Sequence, residues 1–357
     1  MQKNIILLTA MGDYRKKVMT HLMSRISGHT ELWAGILPFD HTVKTIKPEE
    51  LTFNQVNNIY IIKQKLMIQM TSPGKLISCK TLLADLNPRI LNLWIILGIR
   101  KILGKKNILW GHAWPRDGSK SSTVIIRKLL CRLADTIIVY TETQANELRA
   151  ELPEKKIIAA PNALYYESEI DFTENSKRTN ILYVGRLVSE KKPAVLLDAF
   201  LQDSILTNPE IELFFIGSGP ERFILEEKLK NLSEDVKSRV HFLGHVNDYK
   251  KLKQQYDSSF VSISPGYVGL SITQSFSFGV PMLISKNEPH APEIEAAKEN
   301  FNFSYFKTDC PVDLAHKILC IWNNKSHWES IGGNIASECK QSYSAENMSL
   351  RISGALD

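Results

Sequence analysis

Short runs of apolar residues alternate with mixed polar and apolar stretches along the first part of the chain. The run at residues 5–8 predicts a buried strand, and a polar turn containing Gly12 leads from it into a helix that ends near residue 27. Further strands are predicted at residues 58–62, 108–110, 136–140 and 156–159, and a helix at 141–148. Strands that alternate with helices are typical of βαβ units and parallel sheets.

The pattern breaks at residues 166–180, which are polar and show little periodicity, and we interpret this segment as a linker. Beyond it, strands are predicted at 181–184, 212–216, 240–243, 260–263 and 282–285, and helices at 192–200, 221–232, 248–256 and 271–278. The sequence therefore predicts an α/β protein with domains at 1–165 and 175–340 and a C-terminal segment at 341–357. Each domain is expected to have its own parallel sheet, with a cleft between the two and ligands beyond the carboxyl ends of the strands.

The composition supports a globular protein and adds a charge asymmetry. Hydrophobic residues make up 43% of the 357 residues and charged residues 23%, which excludes a disordered chain, a collagen and a coiled coil. Residues 1–150 carry a net charge of +12, whereas residues 151–357 carry −6. A basic half indicates an anionic partner, namely a membrane surface, a nucleic acid or a phosphorylated ligand. The alternative is that these basic residues are only exposed to solvent and bind no anionic partner.

The sequence favours a protein of the cytoplasm without a membrane span. The longest apolar stretch, residues 90–99, is too short to cross about 30 Å of hydrocarbon as a helix, and the N-terminal pattern is not that of a signal peptide. None of the five cysteines forms a C-x-x-C pair, which argues against a zinc ribbon or a dithiol centre and fits a reducing compartment.

Two junctions between a predicted strand and helix carry candidate binding residues. The first, at residues 185–193, places Arg186 and Lys191 five positions apart. A diphosphate needs fixed donors and positive charge, which these two side chains supply, although solvated surface charge is the alternative. The second junction, at residues 215–222, contains Gly217 and Gly219, and this spacing also occurs in plain tight turns.

A third junction joins the strand predicted at 260–263 to the helix predicted at 271–278. Its loop contains Gly266 and Gly269, and the backbone N–H groups at such a helix start can bind phosphate. Ser271 and Gln274 also fit an S-x-x-Q capping box, which is a structural role. Both roles stay open for Gln274 on local grounds.

In their order and spacing, these three junctions resemble the nucleotide-sugar half of glycosyltransferase family 4, which has the GT-B fold. The resemblance covers residues 181 to about 297. It implies that Arg186 and Lys191 bind the diphosphate of the donor and that Val246, in the segment Gly-His-Val after a predicted strand, contacts the nucleotide base. The other donor-binding residues that it implies are Gly12, Gly217, Gly266, Gly269, Leu270, Ser271 and Gln274.

The chain departs from the family at the E-x7-E motif, whose two glutamates hold the sugar and the ribose. In this sequence their positions are taken by Gly266 and Gln274. The amide oxygen of Gln274 can still accept a hydrogen bond from a ribose hydroxyl, whereas Gly266 offers only its backbone. We therefore expect a divergent member of the family.

The resemblance extends to the first half of the chain in a fainter form. Gly12 takes the place of a glycine-rich loop that faces the donor, and His112 follows a predicted strand where family members often carry a histidine near the reacting carbon. His112, Arg186 and Lys191 are therefore the candidate catalytic residues, and His290 is a further candidate. For either histidine, a purely structural role is the alternative.

The resemblance implies a retaining glycosyltransferase that moves a sugar from a nucleoside-diphosphate sugar to a hydroxyl of a saccharide or lipid-linked saccharide, in the synthesis of cell-surface polysaccharide. Residues 1–165 would bind the acceptor and 175–340 the donor, and residues 341–357 would return to the first domain. No D-x-D motif occurs, so neither a metal ion nor another cofactor is expected.

The basic first half suggests peripheral contact with an anionic membrane at the inner face of the plasma membrane. A nucleic acid is not an expected partner because no recognition motif accompanies the charge. The alternatives are a sugar-nucleotide-binding protein without catalysis and a GT-B nucleotide-sugar epimerase.

Overall fold

The computed structural model describes residues 3–26, 29–38, 44–115, 118, 121, 123–174 and 176–356. The chain forms two compact units. The first comprises residues 1–166 and 343–357, and the second comprises residues 167–342. The last residues of the chain thus belong to the first unit, and the change of unit at 166–167 falls at the start of the segment that we interpret as a linker.

The first unit contains an eight-stranded sheet with the order β4-β3-β2-β1-β5-β6-β7-β8. Its strands are β1 (Asn4–Leu8), β2 (Thr30–Gly35), β3 (Asn54–Ile61), β4 (Leu66–Met70), β5 (Thr81–Asp85), β6 (Lys106–Trp110), β7 (Thr136–Val139) and β8 (Lys156–Ala159). The pair β3–β4 is antiparallel, so the expectation of a purely parallel sheet is wrong at this edge. The reason is a tight turn in which Ile62, Lys63 and Gln64 have positive φ values, which reverses the chain too abruptly for a helical crossover.

The second unit contains a six-stranded, wholly parallel sheet with the order β11-β10-β9-β12-β13-β14. Its strands are β9 (Asn180–Val184), β10 (Glu212–Ile216), β11 (Val240–Gly244), β12 (Ser259–Ser264), β13 (Met282–Ser285) and β14 (Phe303–Phe306). The predicted α/β architecture of two parallel-sheet domains is therefore confirmed, apart from the antiparallel edge strand of the first sheet.

Helices cover both faces of each sheet. They are α1 (Lys16–Arg25), α2 (Pro73–Ser78), α3 (Leu91–Ile102), α4 (Val124–Arg132), α5 (Glu142–Glu151), α6 (Pro193–Phe200), α7 (Asp203–Leu206), α8 (Glu221–Leu229), α9 (Glu234–Lys237), α10 (Tyr249–Asp257), α11 (Ser271–Ser277), α12 (Pro311–Asn323), α13 (Lys325–Tyr343) and α14 (Ala345–Leu356). No described helix is long and apolar enough to cross a membrane.

Strand β1 shows why its residues form an unbroken apolar run. Ile5 and Leu7 pack into one hydrophobic core, whereas Ile6 and Leu8 pack into a second core on the other face of the sheet. A strand that is buried on both faces needs apolar residues at every position. The second of these cores also contains Ile352 of α14, which ties the end of the chain to the first unit.

Each sheet has one place where the order of its strands reverses. In the first sheet this switch point lies between β1 and β5, and in the second between β9 and β12. Ligands of open α/β sheets bind beyond the carboxyl ends of the strands at such a point. The loops that follow these four strands are therefore where ligand-binding residues are expected.

Candidate functional site

The second unit brings most candidate donor-binding residues to its switch point. Arg186 and Lys191 follow β9, and the loop that begins with Gly266 follows β12. A 3₁₀ turn at Ser189–Lys191 lies between the two cations. The two loops belong to neighbouring strands, so residues that are about 80 positions apart in the chain become adjacent.

Both cations are held by Tyr267. The Lys191 ammonium donates a hydrogen bond of 2.6 Å to the Tyr267 carbonyl oxygen and lies 3.5 Å from the centroid of its ring. The Arg186 guanidinium donates to the Tyr267 hydroxyl at 2.9 Å. Two positive charges are thus fixed beside one aromatic ring, and two cations held in this way can form charge-assisted hydrogen bonds to a diphosphate.

Tyr183, in strand β9, also holds the Arg186 loop in place. The Tyr183 hydroxyl donates to the Arg186 carbonyl oxygen at 2.6 Å. Burial raises the pKa of Tyr183, so this hydroxyl keeps its proton and remains a donor. Arg186 therefore extends from a backbone that its neighbours hold in place.

Gly266 is required by close packing of the two loops. A Cβ atom at this position would lie 2.3 Å from the Glu190 carbonyl oxygen and 2.7 Å from the Lys191 Cα atom. The resemblance implies a glutamate at this position, and the space beside it is filled by the backbone of the neighbouring loop. Gly269 differs, because a Cβ atom there would make only an ordinary contact of 3.9 Å with Ala291.

Gly217, which follows β10 on the other side of β9, is likewise required by close packing of two loops. Its φ is 142°, and a Cβ atom would lie 1.8 Å from the Gly185 carbonyl oxygen. Its N–H donates to the Gly244 carbonyl oxygen at 2.7 Å, which links the loops after β10 and β11. Val246 lies further along the loop after β11 and is half-buried.

His290 supports the loop that follows β12. Its Nδ1 accepts a hydrogen bond from the Val268 N–H at 3.1 Å, and its Nε2 lies 2.9 Å from the Ser285 carbonyl oxygen, to which it donates. Burial lowers the pKa of His290, which favours this neutral form. The structure thus gives His290 the structural role that the sequence analysis held as the alternative.

The predicted capping box at the start of α11 is wrong. Leu270 is the N-cap residue, its φ and ψ are already helical, and within the described chain no side chain caps this end. Ser271 is therefore the first helical residue. The amide oxygen of Gln274 instead accepts a hydrogen bond of 3.4 Å from the Tyr256 hydroxyl.

Lys192 is an unusual residue that follows the two cations. Its φ of 50° and ψ of 43° are left-handed, a conformation that favours glycine. The G-R-L…E-K-G stretch that this loop resembles has glycine at the corresponding position. The Lys192 ammonium pairs with the Glu288 carboxylate at 2.7 Å and the Asp309 carboxylate at 2.8 Å. These bonds raise the pKa of Lys192 against the opposing effect of desolvation.

The first unit places Gly12 and His112 at the carboxyl edge of its own sheet, after β1 and β6 respectively. Between them lies Arg15, which donates to the Tyr140 hydroxyl at 2.6 Å and lies 3.7 Å from an Asp85 carboxylate oxygen. The Tyr140 ring in turn contacts the His112 ring edge-on, with 4.7 Å between centroids. A largely buried cation, whose side chain is 12% exposed, is thus joined to the candidate catalytic histidine through one tyrosine.

This polar cluster has unused hydrogen-bonding capacity. Within the part of the chain that is described, Arg15 Nε, Trp110 Nε1 and Thr9 Oγ1 are buried without a hydrogen-bond partner. The Arg15 guanidinium also lies 4.5 Å from the centroid of the Trp110 ring. Buried polar groups are normally paired, so these atoms mark the switch point of the first sheet as a place that can receive a polar ligand.

The environment of His112 disfavours its charged form. Solvent reaches the ring, but the protein packed around it removes part of its hydration. Together with the charges of Arg127 and Arg15, this lowers the pKa of His112 to about 4. Arg127 also donates to the His112 carbonyl oxygen at 2.9 Å and thereby fixes the loop. His112 is thus neutral at pH 7 and can donate or accept a hydrogen bond.

Sequence reasoning missed Tyr267, Arg15, Asp85 and Tyr140. Tyr267 stands next to Gly266 in the loop after β12, yet nothing local shows that it contacts two cations about 80 residues away. Asp85 and Tyr140 end or follow strands of the first sheet, which is the signal that could have found them.

Two further features of the described chain were considered as sites, namely a surface depression and groups of side chains that could bind a metal ion. A surface depression of about 460 Å³ lies at the amino ends of β9 and β12, and Lys177, Lys253 and Ser258 are among its lining residues. No candidate residue lines it. Among the described residues, no three His, Cys, Asp or Glu side chains are grouped as metal ligands.

Comparisons with known proteins support a glycosyltransferase relationship. Residues 167–336 match the family model of Glycosyl transferases group 1, so the match falls within the second unit. The chain is 26% identical over 191 residues to the Campylobacter jejuni GalNAc-alpha-(1->4)-GalNAc-alpha-(1->3)-diNAcBac-PP-undecaprenol alpha-1,4-N-acetyl-D-galactosaminyltransferase. It is 25% identical over 188 residues to one of the subunits of the human phosphatidylinositol N-acetylglucosaminyltransferase.

The two alignments cover 52% and 50% of this chain. They span 50% of the Campylobacter enzyme and 36% of the human protein, so the chain matches half or less of these relatives.

Solved structures resemble the whole chain. HepE from Anabaena in complex with UDP matches with a TM-score of 0.71 and 12% identity, and the match covers 99% of both chains. The lipopolysaccharide outer core galactosyltransferase WaaB matches with a TM-score of 0.67 and 15% identity, also over 99% of both chains. At this level of identity the likeness shows the fold, which is the GT-B fold.

Proposed function

We propose that this protein is a glycosyltransferase that moves a sugar from a nucleoside-diphosphate sugar to a hydroxyl group of a saccharide or lipid-linked saccharide. The observation that carries the proposal is the pair Arg186 and Lys191, fixed by Tyr267 at the switch point of the second sheet. The family-model match over the second unit supports the same assignment.

The two cations would stabilise the leaving diphosphate. Charge develops on the diphosphate as the bond to the sugar breaks, and preorganised donors lower the energy of that transition state. Gln274 would bind the ribose through its amide oxygen, and Val246 would lie at the base. Backbone groups of the Gly217 and Gly266 loops, and of Gly269, Leu270 and Ser271, would complete the donor site.

The first unit would bind the acceptor. Gly12 and His112 lie at the carboxyl edge of its sheet, and the neutral His112 ring can hydrogen-bond a sugar hydroxyl without adding positive charge. The names of the two curated relatives specify acceptors on undecaprenol diphosphate and on phosphatidylinositol. These names support a lipid-linked acceptor for this chain, and hence surface-polysaccharide synthesis at the cytoplasmic face of a membrane.

Retention of the anomeric configuration and independence of metal ions belong to the same proposal. Retention follows from the resemblance to family 4. Metal independence follows from the absence of a D-x-D motif in the sequence together with the two cations that can take the place of the metal.

A panel of UDP, GDP and dTDP sugars tests the proposal. A ligand at 100 times its Kd stabilises the folded state by about 2.7 kcal/mol, so the correct nucleotide will raise the melting temperature. With that donor, we expect nucleoside diphosphate to be released faster when a lipid-linked saccharide acceptor is added, both with and without EDTA. Failure of every nucleotide to bind would contradict the proposal.

Gly266 favours one alternative, a sugar-nucleotide-binding protein without catalysis. The backbone of Glu190 fills the space of the family glutamate, so this side-chain contact to the sugar is lost. Nucleotide binding without turnover in the presence of acceptors would support that alternative. Conversion of the donor without any acceptor would support a nucleotide-sugar epimerase.

A further inference from the structure

Two helices of the first unit expose isoleucine and leucine side chains to solvent. On α3 they include Ile95, Ile99 and Ile102, of which Ile95 is 67% exposed and Ile102 is 87% exposed, and Leu91 at the start of the helix is exposed as well. On α4 they are Ile125, Ile126 and Leu129, of which Ile125 is 69% exposed. We call the surface formed by these six residues, without Leu91, the apolar face. Scattered apolar residues are normal on a protein surface, whereas a contiguous set marks an interaction site.

The two helices are neighbours. Helix α3 connects β5 to β6, and α4 connects β6 to β7, and right-handed crossovers in the same direction place both on one side of the sheet. The Lys101 ammonium at the end of α3 donates to the Arg132 carbonyl oxygen at the end of α4, at 2.6 Å. The exposed side chains therefore belong to one surface.

The periodicity of α3 shows that its exposed residues are a second stripe and not part of the core. Leu93, Ile96 and Leu97 are buried against the sheet. Ile95, Ile99 and Ile102 recur at intervals of four and three residues, which is the spacing of one helix face. A helix that packs only against its own sheet needs one apolar stripe, so the outer stripe requires another explanation.

The segment that carries the apolar face is rich in basic residues. Helices α3 and α4 contain five Lys and Arg residues and no Asp or Glu. Of these five, Arg100 is fully buried, and Lys128 pairs with Glu151 of α5. Residues 86–134 as a whole contain ten basic residues and a single acidic one, Asp117. The Lys155 ammonium also donates to the Arg132 carbonyl oxygen at 3.1 Å, so two ammonium groups converge at the end of α4. Desolvation, and then the nearby charge of Lys101, lower the pKa of Lys155.

We propose that the apolar face docks onto an anionic lipid bilayer. Isoleucine and leucine side chains would enter the interface between headgroups and acyl chains, and the surrounding Lys and Arg residues would contact lipid phosphates. A protein partner is less suited to this surface, because protein interfaces favour aromatic residues and exclude charge from their centre. The six exposed residues include no aromatic side chain.

The location of the face agrees with a lipid-linked acceptor, and to that extent the inference rests on the proposed function. Helix α4 follows the loop that contains His112, and its Arg127 donates to the His112 carbonyl oxygen. A bilayer at α4 would therefore lie next to one end of the candidate acceptor site. Membrane docking itself needs no catalysis, so it can be measured separately.

Flotation with vesicles tests the proposal. The vesicles contain either phosphatidylcholine alone or phosphatidylcholine with 30% phosphatidylglycerol. We expect the wild-type protein to float with the anionic vesicles only, and less of it to float as salt shortens the Debye length below about 8 Å. Equal binding to both kinds of vesicle, or to neither, would overturn the proposal.

A pair of double variants locates the surface. Ile102→Glu with Ile125→Glu should lower the partition into anionic vesicles at least tenfold. The control, Phe223→Glu with Val312→Glu, changes two similarly exposed residues of the second unit and should leave it unchanged. If both double variants bind like the wild type, the apolar face is not the docking surface.

Two further measurements separate this inference from its alternatives. If the wild type sediments as a dimer and Ile102→Glu with Ile125→Glu makes it a monomer, the face joins two copies of the chain and the membrane proposal is wrong. The variant should also keep its affinity for the nucleotide found in the donor panel. Loss of vesicle binding with intact nucleotide binding supports the docking surface, whatever the outcome of the transfer assay.

Discussion

The Lys191 ammonium lies 3.5 Å from the centroid of the Tyr267 ring and donates a hydrogen bond to the carbonyl oxygen of the same residue. This contact joins the loop after β9 to the loop after β12. It holds Lys191 in place before any ligand arrives, so little conformational entropy remains to be lost on binding. The aromatic ring and the positive charge also attract each other directly.

Removal of either cation should weaken nucleotide binding. We expect Arg186→Ala and Lys191→Ala each to cost about 1.5–3 kcal/mol of binding free energy, because each removes a hydrogen bond between charged groups. Calorimetric titration with the nucleoside diphosphate found in the panel measures this loss. Lys237→Ala is a suitable control, since that side chain pairs with Glu234 on the protein surface. A double variant of the two cations that binds as tightly as the wild type would show that they are only surface charges.

Gly266 and Gly269 should respond differently to the same substitution. Gly266→Ala places a Cβ atom 2.3 Å from the Glu190 carbonyl oxygen and should lower the free energy of unfolding by about 1–3 kcal/mol, as overpacking does. Gly269→Ala meets only an ordinary contact and serves as the control. Urea denaturation of both variants checks this difference. Equal midpoints would mean that the two loops separate easily, and Gly266→Glu would then be able to restore the family carboxylate.

Replacement of Lys192 by glycine should destabilise the protein less than replacement by alanine. Both substitutions remove the ion pairs with Glu288 and Asp309, but only alanine retains the cost of a left-handed backbone. That cost is roughly 1–2 kcal/mol per residue, so Lys192→Gly should be more stable than Lys192→Ala by this amount. Inside ordinary helices the opposite holds, because alanine there is more stabilising than glycine. Melting curves of the two variants decide the matter, and a more stable alanine variant would contradict the left-handed conformation.

The role of Gln274 can be tested by substituting it and, separately, its hydrogen-bond partner Tyr256. Gln274→Ala and Tyr256→Phe remove the same hydrogen bond from opposite sides, and each should lower stability by about 1 kcal/mol. If Gln274 also binds ribose, Gln274→Ala should weaken nucleotide binding and Tyr256→Phe should not. Gln274→Glu should then strengthen binding, because a charged acceptor makes a stronger hydrogen bond. Equal nucleotide affinities in all three variants would remove Gln274 from the donor site.

His112 should contribute to acid sensitivity. In the unfolded chain a histidine takes up a proton as the pH falls through about 6.5, whereas the pKa of His112 in the folded protein is about 4. The unfolded state therefore binds more protons in this window, and the free energy of unfolding falls as the pH drops from about 6.5 towards 4.

The His112→Gln variant should show a smaller loss of stability between pH 7 and pH 5. His316→Gln, which changes an exposed histidine of α12, should behave like the wild type. Chemical denaturation at the two pH values measures both differences. If the His112→Gln variant loses as much stability between pH 7 and pH 5 as the wild type, the His112 ring titrates normally in the folded protein.

The sequence by itself determined the fold class and the approximate positions of ten of the fourteen strands in the described part of the chain. The apolar runs of β1 and β13 are unbroken because these strands are buried on both faces of their sheets, and this local signal is strong. The same pattern did not reveal β2, β5 or β14. It also missed β4, where three consecutive residues with positive φ reverse the chain without any glycine. The helix predicted at 271–278 is present, but the pattern did not reveal that Leu270, and not Ser271, is its N-cap residue.

Only the tertiary structure decided which residues meet. Arg186 and Lys191 were recognised by their spacing from a strand end, but their common partner Tyr267 follows a strand that is next to theirs only in space. Arg15, Asp85, Tyr140 and His112 come together for the same reason, since each ends or follows a different strand of one sheet. The pairing of parallel strands brings distant segments to one edge, and no local sequence pattern encodes the distance between two side chains there.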